Sequence, residues 1–273
     1  MSNHIGGYRF NLEDVDYLLA NQMKESELLA CTSVSMDRPK EIDPRPWSPM
    51  RNQSNEGSCQ GHAIAAAGEG CYYIGTKQFQ PFSPDLAYYL TQQIDGIRGD
   101  RGSTIAGGMK MAATIGFAPE SFMPYTPKYN PQDIPSDYKE VCAPNKVNKY
   151  TVIKTFQQAF DWISLGLGFI SYGLAWNVSI SNTGVMSWSP GGGGGHANAM
   201  MGYGASRDSD GLPDFLWGKN SWGDWEVLHG WYKITRSTFE KFARDRNTVI
   251  VGISDMSTPK PRKINFLEKS VIQ

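Results

Sequence analysis

Three stretches far apart in the chain carry complementary chemistry, through Gln53 and Cys59 in the first, His196 in the second and Asn220 in the third. Cys59 lies where a polar, turn-rich loop, Arg51-Asn52-Gln53-Ser54-Asn55-Glu56-Gly57-Ser58, opens onto the Ala-rich stretch Cys59-Gln60-Gly61-His62-Ala63-Ile64-Ala65-Ala66-Ala67. A thiol in the first turn of a helix faces unpaired backbone N–H groups and the positive end of the macrodipole, which favours the thiolate and makes a nucleophile. Taken alone, Cys59 equally fits a buried small apolar side chain. The glycine run Gly191 to Gly195 leads into His196 at the head of an apolar, strand-like stretch, and Leu216-Trp217-Gly218-Lys219-Asn220-Ser221-Trp222-Gly223 supplies an amide with a large aromatic close behind it. A base and a group to orient it are thus available to the thiol, as nucleophilic catalysis requires.

Cys, His and Asn in that chain order, with a glutamine six residues before the cysteine, resemble the papain-like cysteine peptidases from about Lys40 onward. By that resemblance Gln53 helps form the oxyanion hole, Cys59 is the nucleophile and His196 the general base and acid. Asn220, in an Asn-Ser-Trp-Gly signature, orients the imidazole, and Trp222 shields their hydrogen bond. The resemblance also implies a polypeptide substrate lying along Gly102, Ser103, Gly195 and Trp222, and neither a metal nor an organic cofactor. Read without it, the glycine-rich loop from Gly99 to Ser103 is a plain helix–helix connection. Several positions depart from the pattern. Glu56 stands where many relatives have a disulfide cysteine, Gln60 where a tryptophan follows the nucleophile, and Gly195 where an acidic residue precedes the histidine. Trp225 falls one residue earlier than the second tryptophan of the signature region. These changes remove no reactive group and describe a divergent member of disulfide-free microbial or viral type.

Other chemistries fit less well. His62, three residues past Cys59, is a rival base, and Cys59, His62, Cys71 and His196 are a conceivable metal set, but no short Cys/His ligand pair supports one. We expect His62 to be a packing or surface residue. The pentaglycine lacks the lysine and following helix of a phosphate loop and reads as a flexible turn at the cleft edge. A net charge of −1 without a basic block gives no reason to expect nucleic acid or an anionic membrane, and no apolar run is long enough to span one. Of the four cysteines, Cys31, Cys59, Cys71 and Cys142, one is claimed by catalysis, and no disulfide is expected. The first residues lack a signal-peptide pattern, so a cytoplasmic protein as synthesised is expected, with assembly into a viral particle as the other setting considered.

The elements that must hold these groups follow from periodicity and punctuation. An amphipathic helix is predicted over residues 11–30, capped by Asn11, with Leu12, Val15, Leu18, Leu19 and Met23 on its apolar face. A proline-rich strap follows, then a central helix from Cys59 to about Tyr73. Ser83-Pro84 opens a helix to about Ile94, and Ser103 caps another to Ile115. A proline-rich crossing over 119–144 leads to strands at 150–153, 167–173, 196–203, 215–220, 230–234 and 248–253, interrupted by helices at 157–165 and 237–244. The expected fold is α+β and papain-like, with a helical half at 40–145, a strand-rich, β-barrel-like half at 146–273, and the cleft between them. Residues 1–39 form an extension whose helix should pack away from Cys59 and complete the fold, because a groove for extended peptide suits a helix poorly. The implied function is a cysteine endopeptidase. A papain-fold structural or binding subunit of a larger assembly and an acyl-transferring relative are the alternatives.

Overall fold

The computed structural model describes residues 7–24, 27 and 38–254. Cys31 and the last residues of the predicted first helix lie outside them. The organising element is helix α2 (Cys59–Thr76), nearly all of it buried. Its run of Ala and Gly leaves no long side chains to hold neighbours off, so other elements reach its backbone. At Gly70 a Cβ would fall 2.2 Å from the Phe169 ring. The flanking helices are α3 (Pro84–Asp95) and α4 (Ile105–Thr114). Helix α3 begins as predicted, with Ser83 Oγ accepting from Leu86 N–H and Pro84 at the first position. Helix α4 is capped one residue later than predicted: Thr104 Oγ1 accepts the Gly107 N–H, and Ser103 belongs to a short strand, β2 (Ser103–Thr104).

Strands β3 (Tyr150–Val152), β4 (Gly168–Ala175), β7 (Gly195–Tyr203), β8 (Leu216–Lys219), β9 (Trp231–Ile234) and β10 (Val249–Ser254) form one sheet in the order β3-β10-β4-β7-β8-β9. All of its neighbours are antiparallel. The sheet is open, with β3 and β9 at its edges and no pairing between them, so the β-barrel-like closure expected of this half is not met. A hairpin of β5 (Val178–Ile180) and β6 (Met186–Trp188), absent from the predicted strands, forms a separate two-stranded sheet bridged to β9 where Val185 meets Lys233. Side chains alternate across a strand. Phe169 on β4 therefore faces α2, while Tyr172, three residues on, faces the other side and stacks on Phe242 of α7 (Arg236–Phe242). Helix α6 (Phe156–Ser164), closed by a capping box from Thr155 and Gln158, also packs on β4 and β7. Coverage on both faces is why β4 and β7 read as nearly continuous apolar runs. The proline-rich crossing holds helix α5 (Tyr138–Cys142), whose Cys142 is buried.

Helix α1 runs from Leu12 to Asn21, shorter than predicted, with the Asn11 side chain accepting from Glu13 N–H. Leu18 and Met23 are buried as expected; Leu19 is instead exposed. The helix packs against α4 and β3. The residues just before it do something else. Strand β1 (Tyr8–Arg9), which was not predicted, pairs in parallel with β2.

Candidate active site

Three segments converge around Cys59. It is the first residue of α2, whose cap residue Ser58 makes no side-chain capping bond, so the first-turn N–H groups remain available. His196 comes from the start of β7, and Asn220 follows the end of β8, the neighbouring strand. His196 Nε2 and Asn220 Oδ1 are 2.8 Å apart, and the same oxygen accepts the Ser221 N–H at 2.8 Å. An acceptor at Nε2 fixes a proton there and leaves Nδ1 as the nitrogen that can exchange a proton with a thiol. Trp222 stacks on the imidazole with centroids 4.3 Å apart and planes at 27°, covering the bond from water. The Ala197 backbone, next to His196, lies close enough to the Cys59 thiol to favour its charged form, so helix and strand meet at the sulfur.

Gln53 is buried beside them and bound from three directions. Its Nε2 donates to the Glu56 carbonyl at 2.7 Å, its Oε1 accepts from Ser221 Oγ at 2.5 Å, and its backbone N–H donates to the Ser221 carbonyl at 2.7 Å. One Nε2 hydrogen remains for a ligand. Below this loop lies an acid cluster. The Tyr89 hydroxyl donates to Glu56 Oε1 at 3.0 Å, and Asp85 Oδ2 accepts the Thr126 N–H at 2.9 Å. Burial pushes both carboxyls up, Asp85 to about 8 with Glu56 beside it adding to the rise. Gln60 also acquires a structural job, because its Oε1 accepts from Ser103 Oγ at 3.1 Å and ties β2 to α2.

The groove positions Gly102, Ser103 and Gly195 are brought together, and the chain's own residues 7–9 lie between them. Ser103 N–H donates to Gly7 O at 2.8 Å. A Cβ on Gly102, where φ is +77°, would fall 1.9 Å from Gly7 O, and one on Gly195 would fall 2.1 Å from Tyr8 O. The Tyr8 hydroxyl donates to Asn247 O at 3.0 Å, and Arg9 Nε donates to Arg101 O. The Gly7 backbone also lies close enough to the Cys59 thiol to favour its charged form. Cys59 is consequently 0% exposed and His196 1%. In this closed form burial outweighs the helix N-terminus and pushes the Cys59 thiol up to about 11, the opposite of the depressed value expected from the sequence.

One further side chain at the site went unread in the sequence. Trp176, just past β4, meets the His196 ring edge-on at 4.8 Å and Trp222 at 5.7 Å; a lone tryptophan in a turn gave no pattern to find it. Trp225 joins the same stack, edge-on to Trp222 at 5.3 Å. His62 is a buried packing residue, edge-on to Tyr125 at 4.7 Å. Among the described residues Cys59, His62, Cys71 and His196 do not gather as metal ligands. Gly191 to Gly193 all take left-handed backbone conformations before β7. Cys59, Cys71 and Cys142 are free thiols. No described helix is long and apolar enough to cross a membrane.

A thiol at a helix start, beside a strand that delivers an imidazole held by an amide, fits the thiol peptidases with a papain-type fold. The family model for papain family cysteine proteases matches residues 38–251, and the chain belongs to that family. Among solved structures it is similar to xylellain, a cysteine protease from Xylella fastidiosa, with a TM-score of 0.69 at 19% identity over 94% of this chain and 99% of that one. It is also similar to a digestive procathepsin L2 proteinase from Tenebrio molitor larval midgut (TM-score 0.64, 20% identity, 92% of this chain, 78% of that one). A third is the Carica candamarcensis cysteine protease CMS1MS2 in complex with E-64 (TM-score 0.56, 21% identity, 80% and 99%). These likenesses are of fold. The chain is a papain-like cysteine peptidase.

Proposed function

We propose that the protein is an endopeptidase in which Cys59 is the nucleophile, His196 the base and acid, Asn220 the orienter and Gln53 an oxyanion donor. The observation that carries this reading is the 2.8 Å His196–Asn220 bond stacked under Trp222, beside a cysteine at the head of α2. Once residues 7–9 leave the cleft, water reaches the thiol and the desolvation that raises its pKa falls away. His196 Nδ1 takes the Cys59 proton, and the thiolate attacks the scissile carbonyl. The oxyanion takes hydrogen bonds from the remaining Gln53 Nε2–H and from the Cys59 N–H, donors of a kind worth about 3–4 kcal/mol each to the transition state. His196 then protonates the leaving amine, and water hydrolyses the thioester. A polypeptide substrate is supported by the groove itself, whose backbone at Gly102 to Thr104 pairs with extended chain at Tyr8 and Arg9. Internal cleavage of an unstructured protein by the chain lacking residues 1–10, abolished by Cys59→Ala, tests the reading. Release of single residues from one end would overturn the endopeptidase reading, and turnover by Cys59→Ala the assignment of the nucleophile.

A further inference from the structure

Beside the Asn220 amide, between α2 and strands β7 and β8, is a small cavity that the proposed reaction does not use. It is lined by Arg51, His62, Asn198, Lys219 and Asn220 with small apolar side chains between them. About 10 Å³ of it is open to the centre of a water molecule, room for one. His62, Asn198 and Asn220 are 3%, 1% and 3% exposed. Among the described residues, His62 Nε2, both polar atoms of the Asn198 side chain, Asn220 Nδ2 and Arg51 Nε are buried without a hydrogen-bond partner. Buried polar groups are satisfied in native proteins, so five such atoms on one cavity point to an occupant.

The chemistry of the lining selects that occupant. His62 Nδ1 sits 3.1 Å from the Ser58 carbonyl and must donate to it, so Nε2 presents a lone pair. Burial, followed by the charge of Arg51, lowers the His62 pKa to about 3, so Nε2 stays an acceptor at working pH. Asn220 Oδ1 is taken by His196 and Ser221, which turns Nδ2 inward as a donor. Asn198 offers one of each from within the largely apolar strand β7. A cation would meet Arg51, Lys219 and the amide hydrogens, and an anion would meet the His62 lone pair. A water, with two hydrogens and two lone pairs, matches both kinds of wall.

We propose that this cavity holds one resident water, bound by His62 Nε2 and Asn198, that accepts the Asn220 Nδ2–H and so makes Asn198 a positioning residue for His196. The proposal rests on the roles given above to His196 and Asn220. The water keeps the Asn220 amide from turning end for end, which would aim Nδ2 instead of Oδ1 at the imidazole N–H. The test uses the full chain and needs no turnover. A high-resolution crystal structure should show a water within hydrogen-bonding distance of His62 Nε2 and Asn220 Nδ2. In proton NMR the His196 Nε2–H should exchange with solvent about five- to tenfold faster in Asn198→Leu, the Boltzmann factor of one lost hydrogen bond, and Asn198→Thr, which keeps a hydroxyl, should restore most of the protection. An empty cavity in wild-type density, or unchanged exchange in Asn198→Leu, would overturn the proposal. If Asn198→Leu fails to fold, His62→Phe removes the other anchor and carries the same expectation, and the wild-type density decides alone. Failure to detect an acyl-enzyme at Cys59 would sink the peptidase roles while leaving both readouts intact.

Discussion

Replacing Tyr8 by Ala should open the cleft. Tyr8 is only 6% exposed, its hydroxyl bonds Asn247, and its ring lies so close over Gly173 that a Cβ there would be 2.4 Å away. Burying a side chain of this size is worth about 1.5–3 kcal/mol, and its hydrogen bond about 1 kcal/mol net. Truncation therefore weakens the seat of residues 7–9 by about 3 kcal/mol, roughly a hundredfold in the closed-to-open ratio. The gain in kcat/KM on a fluorogenic peptide is bounded by the wild-type closed-to-open ratio, so it should fall between a few-fold and about a hundredfold, with the chain lacking residues 1–10 setting the ceiling. Tyr8→Phe, which loses only the hydroxyl, should change the ratio by about fivefold. The melting temperature should fall in step with the gain in activity, by about 2–4 °C for each kcal/mol of closure lost, while α1 keeps its own contacts with α4 and β3. Alkylation of Cys59 offers a second readout, slow in the wild type and accelerated in step with hydrolysis in Tyr8→Ala. Wild-type rates of both hydrolysis and alkylation in Tyr8→Ala and in the truncated chain would refute the occlusion.

In the truncated chain Cys59 should be the thiol that reacts fastest with an alkylator near pH 6, whereas Cys71 and Cys142, buried in the fold, stay unmodified; equal labelling by mass mapping would refute the thiolate at the helix start. Gln53→Ala should lower kcat with little change in KM, since the oxyanion exists mainly in the transition state, and a rise in KM alone would make Gln53 a substrate-binding group. Asp85 holds its proton to about pH 8 in the folded state and only to about pH 4 when unfolded. The folded form therefore binds more protons in that window, and stability is greatest below it and declines as pH rises to about 8. Asp85→Asn should flatten that decline in thermal melts at pH 5 and pH 8, and an unchanged slope would remove Asp85 as its source. Added reductant should leave the melting temperature unchanged, given three free thiols among the described residues, and a large drop would reveal a disulfide.

Much of the site could be read from residue types alone. A cysteine at a polar loop–helix junction, a histidine opening an apolar strand and an Asn-Ser-Trp-Gly stretch each state their chemistry locally, and helix starts at Ser83 and Cys59 and the main strands carry their own caps, periods and glycines. The departures at Glu56 and Gln60 were visible as departures, but their roles were not: a carboxyl paired with Tyr89 and an amide holding Ser103 depend on partners 33 and 43 residues away.

The sequence by itself determined the proposed nucleophile, base and orienter, because such roles are properties of side chains and of the short segments that present them. Only the tertiary structure decided whether they can react as the chain stands. Two residues, Tyr8 and Arg9, are too short a strand to leave a period, and their place is set by hydrogen bonds to Asn247 and Arg101 across the cleft. The same holds for the thiol. The local sequence argues for a low pKa, the burial imposed by Gly7 and its neighbours argues for a high one, and desolvation depends on everything packed around the sulfur, which no window of sequence contains.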